Sequence, residues 1–189
     1  MNYSEYLENA VDYAAYQELF IQKSENPEAY TYGQYIRMNL QRSSRLDRTF
    51  QLNEEQLQKV ANLPAQTWLV ISEHWCGDAS QTVPVMAKIA EASQGKITLR
   101  LVNRDEVPEL MQAHLTNGGM AVPKIVKLDT HAHLLSDWGP RPVKAQELVI
   151  ALKSNPETSS NYSEELHKWY AKDKQQSTVN ELLHFAANL

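Results

Sequence analysis

The sequence predicts an α/β protein: a mixed sheet of about four strands flanked by helices, with helical extensions at both ends. Three observations predict it. The continuous apolar run Trp68-Leu69-Val70-Ile71 reads as a buried central strand and leads into a helical pattern carried by Val83, Val85, Met86, Ile89 and Ala90. Ile97, Leu99 and Leu101 alternate with Thr98 and Arg100, the period of a strand with one covered face. Pro123 to Leu128 and Leu134 to Trp138 form two further runs joined across Asp129-Thr130-His131-Ala132, a turn short enough to imply an antiparallel pair.

Length and composition bound the rest. A chain of 189 residues holds one full core plus an elaboration, or at most two small domains. With 42% hydrophobic and 22% charged residues it reads as an ordinary soluble protein. The net charge of -5 argues against a general nucleic-acid binder, which needs a basic surface. A single cysteine, Cys76, excludes an internal disulfide and a multi-cysteine zinc site and is compatible with a reducing cytosol. No apolar run approaches the length of a membrane span, and Met1-Asn2-Tyr3-Ser4-Glu5 lacks the pattern of a signal peptide. The cytoplasm is the expected location, with neither membrane nor nucleic acid as a partner.

Taken in order, residues 2 to 23 read as one amphipathic helix, with Asn2 and Glu5 as a capping pair and Tyr6, Ala10, Tyr13, Ala14 and Phe20 at helical spacing. An aromatic stripe of this kind is read as packing. After a break at Ser24 to Pro27, a second helix is expected over residues 28 to 42. Arg37, Arg42, Arg45 and Arg48 cluster here and read as a solvated face, since nothing Gly-rich or aromatic is interleaved with them. Asn53 with Gln56 predicts a capping box opening a helix that Pro64 stops. Beyond the second strand, Asp105 is placed to cap a helix with Pro108 in its first turn. His131 and His133 face the same way but have no third ligand in reach by sequence, so no metal site is assigned. A helix over residues 143 to 153, an Asn/Ser-rich loop and a last helix in two pieces close the chain.

The stretch with chemistry in it is His74-Trp75-Cys76-Gly77-Asp78-Ala79. Strand, tight turn and helix in that order put Cys76 at a helix N-terminus, where unpaired N–H groups and the helix dipole favour thiolate over thiol. A Trp-Cys-Gly turn in this setting resembles the active-site turn of the thioredoxin superfamily. The likeness continues in Leu101-Val102-Asn103-Arg104-Asp105 with Pro108, and in Gly118 to Val126, which resembles the family's segment carrying a cis-proline, here Pro123. It continues again in Asp137-Trp138-Gly139. Separately each piece is weak; together, in family order over roughly residues 65 to 153, they are specific. The resemblance implies a thioredoxin-like core over 65–153; the helical patterns, with no Gly/Ser linker between, add a helical extension over 1–64 packed on that core and a loop and C-terminal helices over 154–189.

The departures shape the functional expectation. The family's second active-site cysteine falls on Ala79, its usual proline on Asp78, and its buried acidic residue on Val70. If Cys76 attacks a disulfide, in a protein or in an oxidised low-molecular-weight thiol, an external thiol such as glutathione must resolve the product, as in monothiol glutaredoxins. The same turn permits redox sensing. The resemblance also brings Lys124 and Arg141 near the turn, where they would offset Asp78, and it makes Trp75, Gly77, Asp78, Val122, Pro123, Lys124 and Arg141 substrate-binding candidates around a catalytic Cys76. No cofactor or metal is implied. A second reading stays open: a catalytically degenerate module, with Cys76 a small buried hydrophobe, that binds a protein partner through the groove beside Pro123 and the free backbone of Val122.

Overall fold

The computed structural model describes residues 1–188. Strand β1 (Gln66–Ser72) lies parallel to β2 (Ile97–Asn103) and antiparallel to β3 (Lys124–Leu128), which pairs antiparallel with β4 (Leu134–Trp138). Among the described residues these four strands form one sheet in the order β2-β1-β3-β4. The continuous apolar run predicted a strand covered on both faces, and Trp68, Leu69, Val70 and Ile71 are all 0% exposed. Burying each such side chain contributes about 1.5–3 kcal/mol, so β1 anchors the core. Its C-terminal end delivers the chain through residues 73–76 into α5 (Gly77–Ala92), which packs on α3 (Ile36–Thr49), α4 (Glu54–Ala61), α8 (Tyr162–Asp173) and α9 (Gln176–Ala187). The short α6 (Pro108–Ala113) leads from β2 towards β3, and α7 (Val143–Ser154) pairs with α8 around Ala145, Val149, Leu166 and Tyr170.

The N-terminal region departs from expectation twice. Residues 2 to 23 are not one helix: α1 (Tyr3–Asn9) and α2 (Tyr13–Glu25) are separated where Val11 pairs with Leu101 on β2, N–H to O at 2.9 and 2.8 Å in the two directions. That bridge needs extended backbone at Val11, and Asp12 restarts the helix by accepting from the Ala15 N–H at 2.9 Å. The helix expected over 28 to 42 is two single 3-10 turns, Pro27–Ala29 and Gly33–Tyr35, followed by α3. Gly33 lies so close to Pro27 that a Cβ on it would stand 1.7 Å from the Pro27 carbonyl oxygen, a packing no regular helix offers. Two of the four arginines hold local acceptors: Arg37 donates to the carbonyls of Ser24 and Glu25, and Arg42 to Asn39. The Asn53–Gln56 capping box is present as predicted. Asp105 does not cap α6: it sits in a 3-10 turn, Arg104–Glu106, and takes a 2.8 Å contact from Arg104.

Candidate functional site

Cys76 is the N-cap residue of α5, as the strand-turn-helix pattern predicted. In the β1–β3 register Ile71 pairs with Lys124, so the segment just before Lys124 lies beside the segment just after Ile71. That juxtaposition brings Val122 to Cys76, and the Val122–Pro123 peptide bond is cis. The thiol donates to the Val122 carbonyl at 3.1 Å, and Cys76 is 8% exposed. Here the thiolate expectation fails. Burial pushes the Cys76 thiol up to about 12 and the charge of Asp78 adds to the rise; the N–H groups of Ala79 and Asp78 and the Arg141 guanidinium pull down, but less. The helix N-terminus does act on the sulfur, and desolvation outweighs it.

Asp78 has better partners than the sulfur has. Arg141 Nε and one terminal nitrogen donate to its Oδ2 at 3.0 and 2.6 Å, and the Tyr170 hydroxyl donates to Oδ1 at 2.8 Å. All three side chains are largely buried, and Arg141 gives another terminal nitrogen to Gln146 Oε1 at 2.8 Å. Arg141 therefore reaches the turn as the resemblance implied, but its fork is engaged by the protein itself. Lys124 does not reach Asp78: its Nζ pairs with Asp137 Oδ1 at 3.1 Å, because β3 and β4 bring that carboxylate closer. The other Asp137 oxygen lies 3.0 Å from His114 Nδ1, and His114 Nε2 lies 3.1 Å from the Tyr3 hydroxyl. The Val122 carbonyl is not free for a substrate, since it holds the thiol, and both Val122 and Pro123 are buried.

Helix α8 covers the turn from the other side. A Cβ on Gly77 would stand 2.7 Å from His167 Nε2, and Tyr170 on the next turn of α8 reaches Asp78. Gln81 links α5 to both C-terminal helices, lying 3.4 Å from His167 Nδ1 and accepting from Gln175 at 3.0 Å. Sequence reasoning missed Tyr170, His167 and Gln146. The one available signal was Tyr170 within an apolar stripe, since a buried phenol needs a hydrogen-bond partner somewhere.

Trp75 is half-buried and points to the opposite flank, its ring 5.1 Å from Tyr32 and 4.9 Å from the Arg104 guanidinium. Among the described residues no group of three or more potential ligands could hold a metal ion, and His133 pairs with Asp129 at 3.1 Å. No helix among them is long and apolar enough to cross a membrane.

A family model described as thioredoxin matches residues 25–153, and the chain belongs to that family. Two solved structures share the fold. One is a Pseudomonas aeruginosa protein of unknown function, 16% identical with a TM-score of 0.68, the match covering 97% of this chain and 96% of that one. The other is an HIV epitope scaffold, 14% identical with a TM-score of 0.65 and the same coverage, 97% and 96%. At these identities the likeness is one of fold. No match was found among curated proteins.

Proposed function

We propose that this protein is a thioredoxin-like binding module in which the Cys76 thiol is a structural hydrogen-bond donor rather than a resting nucleophile. One observation carries the reading: the buried S–H donates to the Val122 carbonyl at 3.1 Å. A carbonyl oxygen accepts from a thiol and repels a thiolate, so ionisation would break that bond and bury a charge. The absence of a second cysteine supports the same reading, because nothing within the chain resolves a mixed disulfide. The test is thiol labelling by an aromatic disulfide at mildly alkaline pH, native against urea-unfolded. With the thiol held near 12, the native rate is expected about three orders of magnitude below the unfolded one. Comparable rates in the two states would restore Cys76 as a working nucleophile.

One observation favours the alternative, a single-thiol exchange or sensor protein resolved by an external thiol such as glutathione. The N–H groups of Asp78 and Ala79 and the Arg141 charge are already aimed to favour a thiolate once the site opens. That reading requires α8 to leave the turn. It predicts a glutathione adduct on wild-type protein, absent from Cys76→Ser, after mild treatment with oxidised glutathione. The binding reading predicts no adduct.

A further inference from the structure

On the flank of the turn away from α8, the chain leaves a cavity of about 420 Å³. Its buried lining includes Glu73 and His74, which are 6% and 1% exposed. Tyr30 and the half-buried Trp75 form its sides, and the exposed carboxylates of Asp105 and Glu106 stand at its rim. None of these residues contacts the thiol through a hydrogen bond, so the cavity is separate from the Cys76–Asp78–Arg141 cluster.

The two buried residues are short of donors. Glu73 accepts a long bond, 3.4 Å, from the Asp105 N–H, and among the described residues it enters no ion pair. Burial raises its carboxyl above the usual range and the charge of Asp105 adds; the backbone N–H of Asp105 and the charges of Lys23 and Arg104 oppose, but less. His74 lies between Tyr16 and Phe20, ring centroids 4.2 and 4.5 Å away, with Nε2 3.1 Å from the Tyr16 carbonyl. A carbonyl only accepts, so Nε2 carries the hydrogen. Burial pushes the ring down to about 3, so it is neutral and Nδ1 bears a lone pair. That Nδ1 is buried with no hydrogen-bond partner among the described residues. Leaving such a group unpaired is costly, so a donor brought into the cavity is favoured.

We propose that this cavity binds a protonated primary amine on an alkyl stem, with Glu73 accepting from the ammonium and Tyr30 and Trp75 flanking the stem. An ammonium offers three donors and no acceptor, the complement of a lining that is short of donors. The aromatic walls already tolerate cations: Lys23 Nζ lies 5.3 Å from the Tyr30 centroid and Arg104 stacks on Trp75. Lys23 is the one cation in the lining, against three carboxylates. The amine can come from a free aliphatic amine or from a lysine side chain of a peptide. The proposal holds whether or not Cys76 is redox-active.

The test is an NMR titration of the full chain at neutral pH and constant ionic strength, following the Trp75 indole N–H assigned with Trp75→Phe. Millimolar n-butylammonium is expected to shift that signal saturably, and Glu73→Gln, checked for a native spectrum, to bind it about tenfold more weakly or worse. Tetramethylammonium, charged but without N–H donors, is expected to bind at least about tenfold more weakly to the wild type, which tests the donor argument without any variant. Tighter binding of N-acetyl-Ala-Lys-Ala amide, whose only ammonium is the lysine's, than of n-butylammonium identifies a peptide lysine; equal or weaker binding identifies a free amine. No saturable shift, or an equal response to tetramethylammonium or in a folded Glu73→Gln, overturns the proposal.

Discussion

Replacing Asp78 is the sharpest probe of the turn. Its carboxylate faces Arg141 at 2.6 Å and Tyr170 at 2.8 Å, and Asp78 and Tyr170 are 6% and 1% exposed. Asp78→Ala leaves the guanidinium with Gln146 as its remaining side-chain partner and leaves the phenol without its acceptor. Removing one member of a buried ion pair costs about 3–5 kcal/mol, and the orphaned hydroxyl overlaps with that figure instead of adding to it. A loss of about 4 kcal/mol in a chain of this length lowers Tm by roughly 8–16 °C. Asp78→Asn with Arg141→Met is expected to recover most of the loss, since the amide oxygen still accepts from Tyr170 and no buried charge remains. Urea denaturation of Asp78→Asn, Arg141→Met and the double variant closes a cycle, with an expected coupling of about 2–3 kcal/mol. A loss below about 1 kcal/mol for Asp78→Ala, or an additive double variant, would refute the reasoning. In Asp78→Asn the Cys76 thiol moves down, because a repelling charge has gone and Arg141 stays; it remains above the ordinary range because burial, the larger cause, is unchanged.

Two further outcomes follow from burial and close approach. His74 is depressed from 6.5 to about 3, so between those values the unfolded chain binds more protons than the folded one. Its stabilising contribution is therefore complete above 6.5 and falls as pH drops towards 3. At about pH 5 the loss is about 2 kcal/mol. His74→Phe, which keeps an aromatic ring between Tyr16 and Phe20, is expected to lose about 2 kcal/mol less than wild type between neutral pH and about pH 5; equal losses in urea melts count against it. Gly139→Ala places a Cβ 2.3 Å from the Pro123 carbonyl oxygen at φ +123°, backbone against backbone, and is expected to cost more than about 3 kcal/mol. Gly77→Ala meets only the end of the His167 side chain and is expected to cost less than about 1 kcal/mol by the same melts.

The sheet was legible because each strand carries its own burial pattern: Trp68 to Ile71 unbroken, Ile97 to Leu101 alternating, and two runs set close enough to pair. The capping box at Asn53 was legible for the same reason, since both of its residues lie within one turn of helix. The break at Val11 was not. It comes from a bridge to Leu101, and nothing local in Ala10-Val11-Asp12 overrides the helical spacing except the capping signal of Asp12. The site shows the same division. Cys76, Asp78 and Arg141 were found through the turn and the family pattern, whereas Tyr170 lies 92 positions from Asp78 on a helix with no chemical motif. Lys124 shows the limit most plainly: its position in the fold was foreseen, but its partner depended on which carboxylate lay nearer, and that is Asp137.

The protonation state of Cys76 is decided first by burial and then by what its neighbours can accept. Two acidic groups share the first turn of α5, and its positive end favours whichever is ionised. Asp78 has a guanidinium, a phenol and near-complete burial of the pair; the sulfur has a carbonyl. With the Asp78 charge already satisfied, a thiolate next to it would meet repulsion from that carboxylate and from the Val122 oxygen at once. Asp78 therefore does more than shape the first turn of α5. It recruits Arg141 and Tyr170 into a buried network, and through Tyr170 it ties α8 across the thiol. Reactivity at Cys76 would need the charge removed and the helix displaced together, because either change alone leaves the other cause of the raised thiol in place.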